Sequence, residues 1–243
     1  MSHLKPNTTR ALNLILLLWI NFWISTLTLA ASVFRFIISN KTKNGKAISG
    51  QVVEALNLAE NLIGLTYFVA FTVSAVFFIS WFRRAYHNLH QFKSSLGYTD
   101  GWAAGGWFIP VINLFMPFKI MNEMYREADH LLTRTHNIGS RLPRWHLSLW
   151  WAFWILSMAI GQIFLWLVVV NFSQEKINTD GIINLAEAIV NIPLTVLVIK
   201  VVEEYANIEP ELESIHQKMN EDIAENPGIF TESEYRRYLD HSA

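Results

Sequence analysis

The chain contains no cysteine and few charged residues. Lys, Arg, Asp and Glu make up 16% of its 243 residues, whereas soluble domains carry nearer ~25%. The lack of cysteine excludes disulfide bonds, thiolate catalysis and cysteine-ligated metals. The scarcity of charge, together with 52% hydrophobic residues, indicates extensive contact with lipid. Nucleophile motifs, phosphate-binding glycine loops and zinc-protease patterns are also missing, and we expect no cofactor.

Four long apolar runs predict membrane-spanning helices at about residues 11–38, 62–82, 147–172 and 182–202. Even the second, at roughly 32 Å of helix, can cross a ~30 Å hydrocarbon core. The first run is longer than the apolar part of a signal peptide, which favours an uncleaved span. We therefore expect an all-α protein, an integral membrane four-helix bundle with a membrane domain over residues 1–202.

A broken segment, residues 101–118, separates the second and third spans. It carries no charge and contains Pro110 and Pro117, which cannot lie in the middle of a straight helix. We expect it either to dip into one leaflet or to be buried among membrane helices. Residues 119–134 follow with an amphipathic pattern that predicts a helix in the membrane interface.

The basic residues predict the orientation of the chain. Most of its 19 Lys and Arg lie in the N-terminus, in residues 83–145 and in residues 200–243. The positive-inside rule places these regions, and with them both termini, in the cytoplasm. Residues 203–243 form an acidic cytoplasmic tail that is either simply solvated or docks on the basic central region or a basic partner.

A short sequence echo indicates an internal repeat. Asn57-Leu58-Ala59-Glu60 recurs as Asn184-Leu185-Ala186-Glu187. Two readings stay open, a chance match or a tandem duplication of a helical hairpin about an axis along the membrane normal. A duplication would bring Glu60 and Glu187 to equivalent depths. It would also place Arg83-Arg84 opposite Glu203-Glu204 as an ion-paired seam.

Glu60 and Glu187 are the strongest candidates for ion or ligand binding. A carboxylate in or near a membrane span is costly and is by default a functional hypothesis. The alternative is that both lie at the outer headgroup boundary, near helix N-termini that favour negative charge. Asn113 is a third candidate, either as a ligand contact or as a partner for the backbone of the broken segment.

Two weaker patterns involve histidine. Glu123, Glu127 and His130 share one helical face with a spacing used in metal sites, but no second matching helix is evident. Flanking arginines favour ordinary helix ion pairs instead. His87, His90 and His146 could bind a metal, although interfacial histidines are usually solvated. We assign no metal and no catalytic residue.

A longer motif, formed by residues 84–89 together with Trp102, Trp107, Pro110 and Pro117, resembles the core signature of a bacterial membrane family catalogued as domain of unknown function 4328. The signature covers residues 84–89 and continues to Pro117, within a resemblance that is strongest over residues 77–129. Its structural motif residues are Arg84, Tyr86, Asn88, Trp102, Trp107, Pro110 and Pro117. Met116 stands where the family typically has a basic residue. The resemblance implies a multi-pass protein of the bacterial inner membrane and no particular activity.

Three functions remain under consideration. The first is a non-catalytic membrane scaffold or sensor subunit that acts through its cytoplasmic face, with a second copy or another membrane protein as partner. The second is a small channel or transporter that uses the broken segment and the carboxylates of Glu60 and Glu187. The third is a lipid-modifying enzyme that uses Glu123 and His130. The bilayer is an expected partner in each case, and nucleic acid is not.

Overall fold

The computed structural model describes residues 4–44, 48–93, 95–136, 142–170 and 176–225. Across these ranges the chain forms α-helices joined by irregular segments, with no β-strand. The helices are α1 (Thr8–Lys43), α2 (Gly50–Leu89), α3 (Asp100–Gly105), α4 (Pro110–Asn113), α5 (Met116–His136), α6 (Trp145–Val170) and α7 (Lys176–Glu225). The prediction of an all-α protein is confirmed.

Four helices, α1, α2, α6 and α7, are long and apolar enough to cross a membrane. Three of the predicted spans lie wholly within α1, α2 and α7, and α6 covers the third from residue 147 to Val170, while residues 171–172 lie outside the described residues. The expected helical membrane bundle is confirmed. Helix α7 has 50 residues, or roughly 75 Å at ~1.5 Å per residue, and is much longer than a bilayer core. The acidic tail therefore begins inside a helix that continues from the fourth span. Residues 226–243 of the tail lie outside the described residues.

The chain divides into two compact units that interleave along the sequence. Unit 1 contains residues 1–15, 76–148 and 200–243, and unit 2 contains residues 16–75 and 149–199. Unit 2 therefore takes the greater part of the first three predicted spans and all but the end of the fourth. Unit 1 takes the broken segment, helix α5 and the second half of α7.

Unit 2 has polar residues inside and apolar residues outside. Asn21, Ser25 and Ser32 are at most 5% exposed, whereas Trp23 and Phe68 are exposed by 64% and 66%. This inversion is expected where the surrounding solvent is lipid, because lipid tails are as apolar as the exposed side chains. The Asn21 side chain donates a 2.6 Å hydrogen bond to Ser74 Oγ and so joins α1 to α2.

Unit 1 has a core of large side chains, as soluble domains do. Its fully buried members include Trp81, Tyr86, Phe92, Tyr125, Tyr205 and Leu147. Helix α5 contributes Ile120 and Met124, both 0% exposed, so the apolar side of this amphipathic helix packs within the unit. Its bounds at Met116 and His136 extend the predicted residues 119–134 by a few positions at the start and two at the end.

The broken segment consists of α3, α4 and the first turn of α5. Pro110 is the first residue of α4, and Pro117 is the second residue of α5. Proline is tolerated in a first turn because the N–H that it lacks has no partner there. The two prolines therefore begin helices. Several apolar side chains remain exposed here, with Phe108 at 75% and Val111 at 70%.

Candidate functional site

A cavity within unit 2 brings the two predicted carboxylates together. Its volume is about 120 Å³, and Glu60 and Glu187 both line it. The remaining lining residues are Ser25, Thr28, Ala31, Ser32, Ile63, Gly64, Tyr67, Ala188 and Asn191. A water molecule takes about 30 Å³ in the liquid, so the cavity has room for several waters or for a small ion with part of its hydration shell.

Glu60 forms an ion pair with Arg35 of α1. The Arg35 Nε atom lies 2.5 Å from Glu60 Oε1, and the two side chains are only 13% and 20% exposed. The guanidinium also donates a 2.7 Å hydrogen bond from Nη2 to Asn57 Oδ1. Arg35 therefore neutralises Glu60 and fixes its orientation. Sequence reasoning did not connect these residues, because they are joined only when α1 and α2 pack.

Glu187 differs from Glu60 because it has no cationic partner among the described residues. It is half-buried and lines the cavity together with the hydroxyl-bearing Tyr67 and Ser25. Of the described lining residues, only Glu60 and Glu187 carry carboxylates. With Glu60 paired to Arg35, an ionised Glu187 leaves the site with one net negative charge. Such a site favours a proton or a monovalent cation.

Neighbouring polar groups give the cavity its lining of oxygen atoms. Ser157 of α6 donates a 2.9 Å hydrogen bond to Asn191 Oδ1 of α7 and thereby fixes the Asn191 amide. Thr28 uses its hydroxyl to bond the Ile24 carbonyl of its own helix. The short polar residues of α1 that line the cavity, Ser25, Thr28 and Ser32, do not form a recognisable sequence motif. The signal that could have found them is their recurrence on one face of α1, opposite the large apolar residues.

Asn113 belongs to unit 1 and is not among the residues that line this cavity. It is the last residue of α4, and its backbone N–H bonds the Ile109 carbonyl at 2.8 Å. Its side-chain oxygen is buried without a hydrogen-bond donor among the described residues. The cavity lining therefore contains two of the three candidate ligand residues, Glu60 and Glu187. We expected the Asn113 side chain to form hydrogen bonds with the backbone of the broken segment, but its Oδ1 atom accepts none from the described residues.

The signature residue Tyr86 holds Glu123 within unit 1. The Tyr86 hydroxyl donates a 2.6 Å hydrogen bond to Glu123 Oε2, and the Gly97 backbone N–H donates one of 2.8 Å to Glu123 Oε1. Burial and the contact with Glu123 raise the pKa of the Tyr86 phenol far above its usual value. Tyr86 therefore stays protonated, and both oxygens of Glu123 are engaged in anchoring the loop before α3.

Glu127 is likewise occupied by protein donors. Lys93 Nζ and Arg126 Nη2 lie 3.0 Å and 2.8 Å from its two oxygens. Burial alone would raise the pKa of Glu127, but hydrogen bonds and charge from these two cations lower it below its usual value. The alternative of ordinary ion pairs therefore describes this face better than a metal site does.

The other signature residues support the same unit. Asn88 receives a 3.0 Å hydrogen bond from the Lys5 backbone N–H and donates one of 2.9 Å to the Lys5 carbonyl. Trp107 packs edge-to-face on Phe78 with a centroid distance of 5.5 Å. Arg84 is half-buried, and Trp102 is 39% exposed. These motif residues shape unit 1 and do not line the cavity of unit 2.

The predicted seam of Arg83-Arg84 with Glu203-Glu204 is wrong for the residues whose partners are described. Arg83 lies 3.8 Å from Asp100, and Glu204 Oε1 lies 2.6 Å from His146 Nδ1. Asp100 also approaches His87 at 3.3 Å. The error arose because the expected seam relied on matching two hairpins by a gapped echo, while the first turns of α3 and α6 supplied nearer partners.

The comparisons with curated proteins and with solved structures gave no match. A family model described as domain of unknown function (DUF4328) matches residues 44–207. This match reaches well beyond the predicted strong region of 77–129 and includes both carboxylates of the cavity as well as the signature. The chain therefore belongs to the DUF4328 family, as its signature indicated.

Proposed function

We propose that this chain binds a proton or a small monovalent cation in the cavity of unit 2 and acts as a small ion transporter or channel. The single observation that carries the proposal is that Glu60 and Glu187, about half the chain apart in sequence, line one cavity among the apolar helices. Carboxylates in or near membrane spans are expensive and are characteristic of ion and proton pathways.

The charge balance of the cavity supports a singly charged substrate. Arg35 neutralises Glu60, so Glu187 supplies the net charge, and oxygens from Ser25, Tyr67 and Asn191 are available beside it. A divalent ion would keep an excess positive charge in a low-dielectric site, which is costly. We further propose that the protein lies in a bacterial inner membrane, as the family resemblance implies, with both termini in the cytoplasm, as its basic residues predict.

Flux through proteoliposomes tests this proposal. Purified protein is reconstituted, and sodium, potassium and proton fluxes are measured separately with ion-sensitive dyes. We expect flux of one of these ions and a loss of at least about tenfold, or ~1.4 kcal/mol, in Glu187→Gln. Glu54→Gln is the matched control, because Glu54 is an exposed carboxylate of α2 outside the cavity lining.

Two outcomes would contradict the transport proposal. One is the absence of flux for all three ions above protein-free vesicles. The other is equal flux in Glu187→Gln and the unmodified protein. A loss that occurred equally in Glu54→Gln would assign the effect to general surface charge and would also count against the cavity.

A second candidate is the membrane scaffold or sensor, and the exposed apolar residues of the broken segment favour it. Phe108, Val111 and Leu114 are exposed by 75%, 70% and 46% and lie close together in sequence within unit 1. Such a patch is typical of a protein or membrane contact. Native mass spectrometry after gentle extraction tests it. A fixed homo-oligomer that becomes monomeric in Phe108→Ser with Val111→Ser would support the scaffold, and an unmodified monomer would oppose self-association.

A further inference from the structure

The segment before α1 is fixed to unit 1 by polar contacts. Asn88 bonds both the N–H and the carbonyl of Lys5. One turn into α1, Arg10 Nη1 donates a 2.8 Å hydrogen bond to Ser80 Oγ. Asn7, between these two points, is 4% exposed. Residues 4–10, which are the segment before α1 and the first three residues of α1, are therefore docked on unit 1. We call residues 4–10 the N-terminal strap.

Asn7 connects the strap to α7 through Glu209. Its Nδ2 atom donates a 2.7 Å hydrogen bond to Glu209 Oε1 and a longer one of 3.4 Å to the Trp81 carbonyl. Glu209 lies seven positions beyond the predicted end of the fourth span. Asn7 and Glu209 are 202 residues apart, so this contact joins nearly the two ends of the described chain.

Two oxygen atoms at this contact have no hydrogen bond. Asn7 Oδ1 and Glu209 Oε2 are both buried and receive no donor from the described residues. When Glu209 is ionised, both atoms can only accept. Two buried acceptors without donors on adjoining side chains are costly, because each has lost water without replacement.

One proton would satisfy both oxygens. A protonated carboxyl group presents one donor and one acceptor, and a primary amide presents the same two functions. The Nδ2–Oε1 bond already provides one half of such an acid–amide pair. A proton on Oε2, donated to Asn7 Oδ1, would provide the other half. The two atoms of this contact that lack hydrogen bonds, Asn7 Oδ1 and Glu209 Oε2, are the two that the second hydrogen bond would join.

We infer that Asn7 and Glu209 form a proton-binding site, in which a neutral Glu209 pairs with the Asn7 amide and holds the N-terminal strap against α7. Loss of the proton would leave a carboxylate facing the amide oxygen, break one of the two bonds and loosen the strap. This site belongs to unit 1 and does not depend on the cavity of unit 2 or on its proposed function.

The charges around Glu209 agree with a neutral form. The strap contributes the uncharged Asn7, and α2 contributes Trp81, whose carbonyl shares the Asn7 donor. On α7 the titratable neighbours are Glu213 and Tyr205. Burial raises the pKa of Glu209 to about 7, the Asn7 hydrogen bond opposes this shift, and the Glu213 charge adds to it. The proton is therefore exchangeable near neutral pH.

Infrared spectroscopy and hydrogen exchange of the full chain in nanodiscs test this inference. We expect a protonated carboxyl C=O band that disappears as the pH rises through neutrality and is absent in Glu209→Gln. Glutamine keeps a donor and an acceptor without titrating. After correction for intrinsic exchange, the strap amides should therefore stay protected at both mildly acidic and mildly alkaline pH in Glu209→Gln, while protection in the unmodified protein falls at alkaline pH.

Two further variants complete the test. Glu213→Gln should keep the titration of the C=O band and displace it to lower pH, because one opposing charge is removed. Asn7→Ala should leave the strap amides weakly protected at every pH. The inference is overturned if no carboxyl band is lost in Glu209→Gln, or if strap protection in Glu209→Gln falls with pH as steeply as in the unmodified protein.

Discussion

Arg35 and Glu60 form a pair whose two members depend on each other. Both side chains are mostly buried, and removal of one partner leaves an isolated charge in a low-dielectric environment. We expect Arg35→Gln and Glu60→Gln each to lower the free energy of unfolding by roughly 1–3 kcal/mol, somewhat below the range for fully buried pairs. The double variant should recover part of this loss, because no charge remains unpaired.

Thermal unfolding of the four proteins in nanodiscs gives the double-mutant cycle. A double variant less stable than either single variant would show that the pair contributes little coupling. If the cavity binds a cation as proposed, the same Arg35→Gln variant should bind it more tightly, since Glu60 then adds its charge to that of Glu187. Glu60→Gln should bind it more weakly, because Arg35 is then unpaired beside the site.

The carboxylates were predictable from the sequence, and their environment was not. Glu60 and Glu187 stand out because a carboxylate in an apolar run is rare, whatever the tertiary structure. The pairing of Glu60 with Arg35 depends on how α1 and α2 face each other, which no local pattern encodes. Asn113 was equally conspicuous in an apolar stretch, but it is not among the residues that line the cavity. A polar residue in an apolar stretch can therefore be identified from the sequence as a candidate ligand, but the sequence does not show which candidates lie in the same site.

Among the helical elements, α3 ends in two glycines with different surroundings. A Cβ at Gly106 would lie 3.0 Å from the Trp102 carbonyl oxygen and 3.2 Å from Met116 Cγ, whereas a Cβ at Gly105 would meet nothing within 4 Å. We expect Gly106→Ala to destabilise unit 1 by about 1–3 kcal/mol through overpacking. Gly105→Ala should be neutral or stabilising by up to ~1 kcal/mol, because alanine favours the helix.

The two substitutions add the same methyl group at neighbouring positions, so each serves as the control for the other. Chemical denaturation followed by tryptophan fluorescence measures both. Equal effects would mean that helix propensity, and not the approach of α3 to α5, decides the outcome. Of the three glycines in this segment, a Cβ at Gly106 alone would meet backbone within 3.4 Å, so close packing requires a glycine at position 106 and not at position 105.

Helix α7 shows which element boundaries a sequence can give. Leu212, Ile215 and Met219 recur at helical spacing, which indicates a helix in the tail, and these residues are buried at 7% exposure or less. The continuity of α7 was not predicted, because Pro193 and the charges from Lys200 onward both suggested a change of element. Proline removes one backbone hydrogen bond and usually bends a helix, but the surrounding turns here remain helical.

For the whole molecule, two carboxyl groups set limits on pH stability. The pKa of Glu209 is raised to about 7, so its contribution is fully present below its unfolded value near 4.5 and is lost as the pH rises through about 7. The lowered pKa of Glu127 acts in the opposite sense, and its contribution is lost as the pH falls through that lowered value. Unit 1 should be most stable between these limits.

Scanning fluorimetry across pH checks this expectation. The alkaline decline should amount to on the order of 1–3 kcal/mol and should be flattened in Glu209→Gln, which cannot titrate. Lys93→Met should reduce the acidic decline, because Glu127 then loses one of the hydrogen bonds that lower its pKa. If Glu209→Gln left the dependence of stability on pH unchanged, the loss of stability at higher pH could not be assigned to Glu209.

The orientation of the chain can be measured without background, because the protein has no cysteine. Asn44→Cys, in the loop between α1 and α2, should react with a membrane-impermeant maleimide in intact cells. Glu225→Cys, at the end of α7, should react only after permeabilisation. Both positions are exposed, so burial does not confound the comparison. The reverse labelling pattern would place the termini outside.

The Asn88 side chain contacts position 5 only through the backbone N–H and carbonyl of that residue. The contact therefore limits which residues the family can accept at position 88 more than at position 5. Selection on Asn88 would be strong, while the side chain at position 5 would be free to vary among lineages. Proline is the exception, because it would remove the N–H that Asn88 accepts. An alignment that showed an invariant asparagine opposite a variable, proline-free position would be the evolutionary trace of this contact.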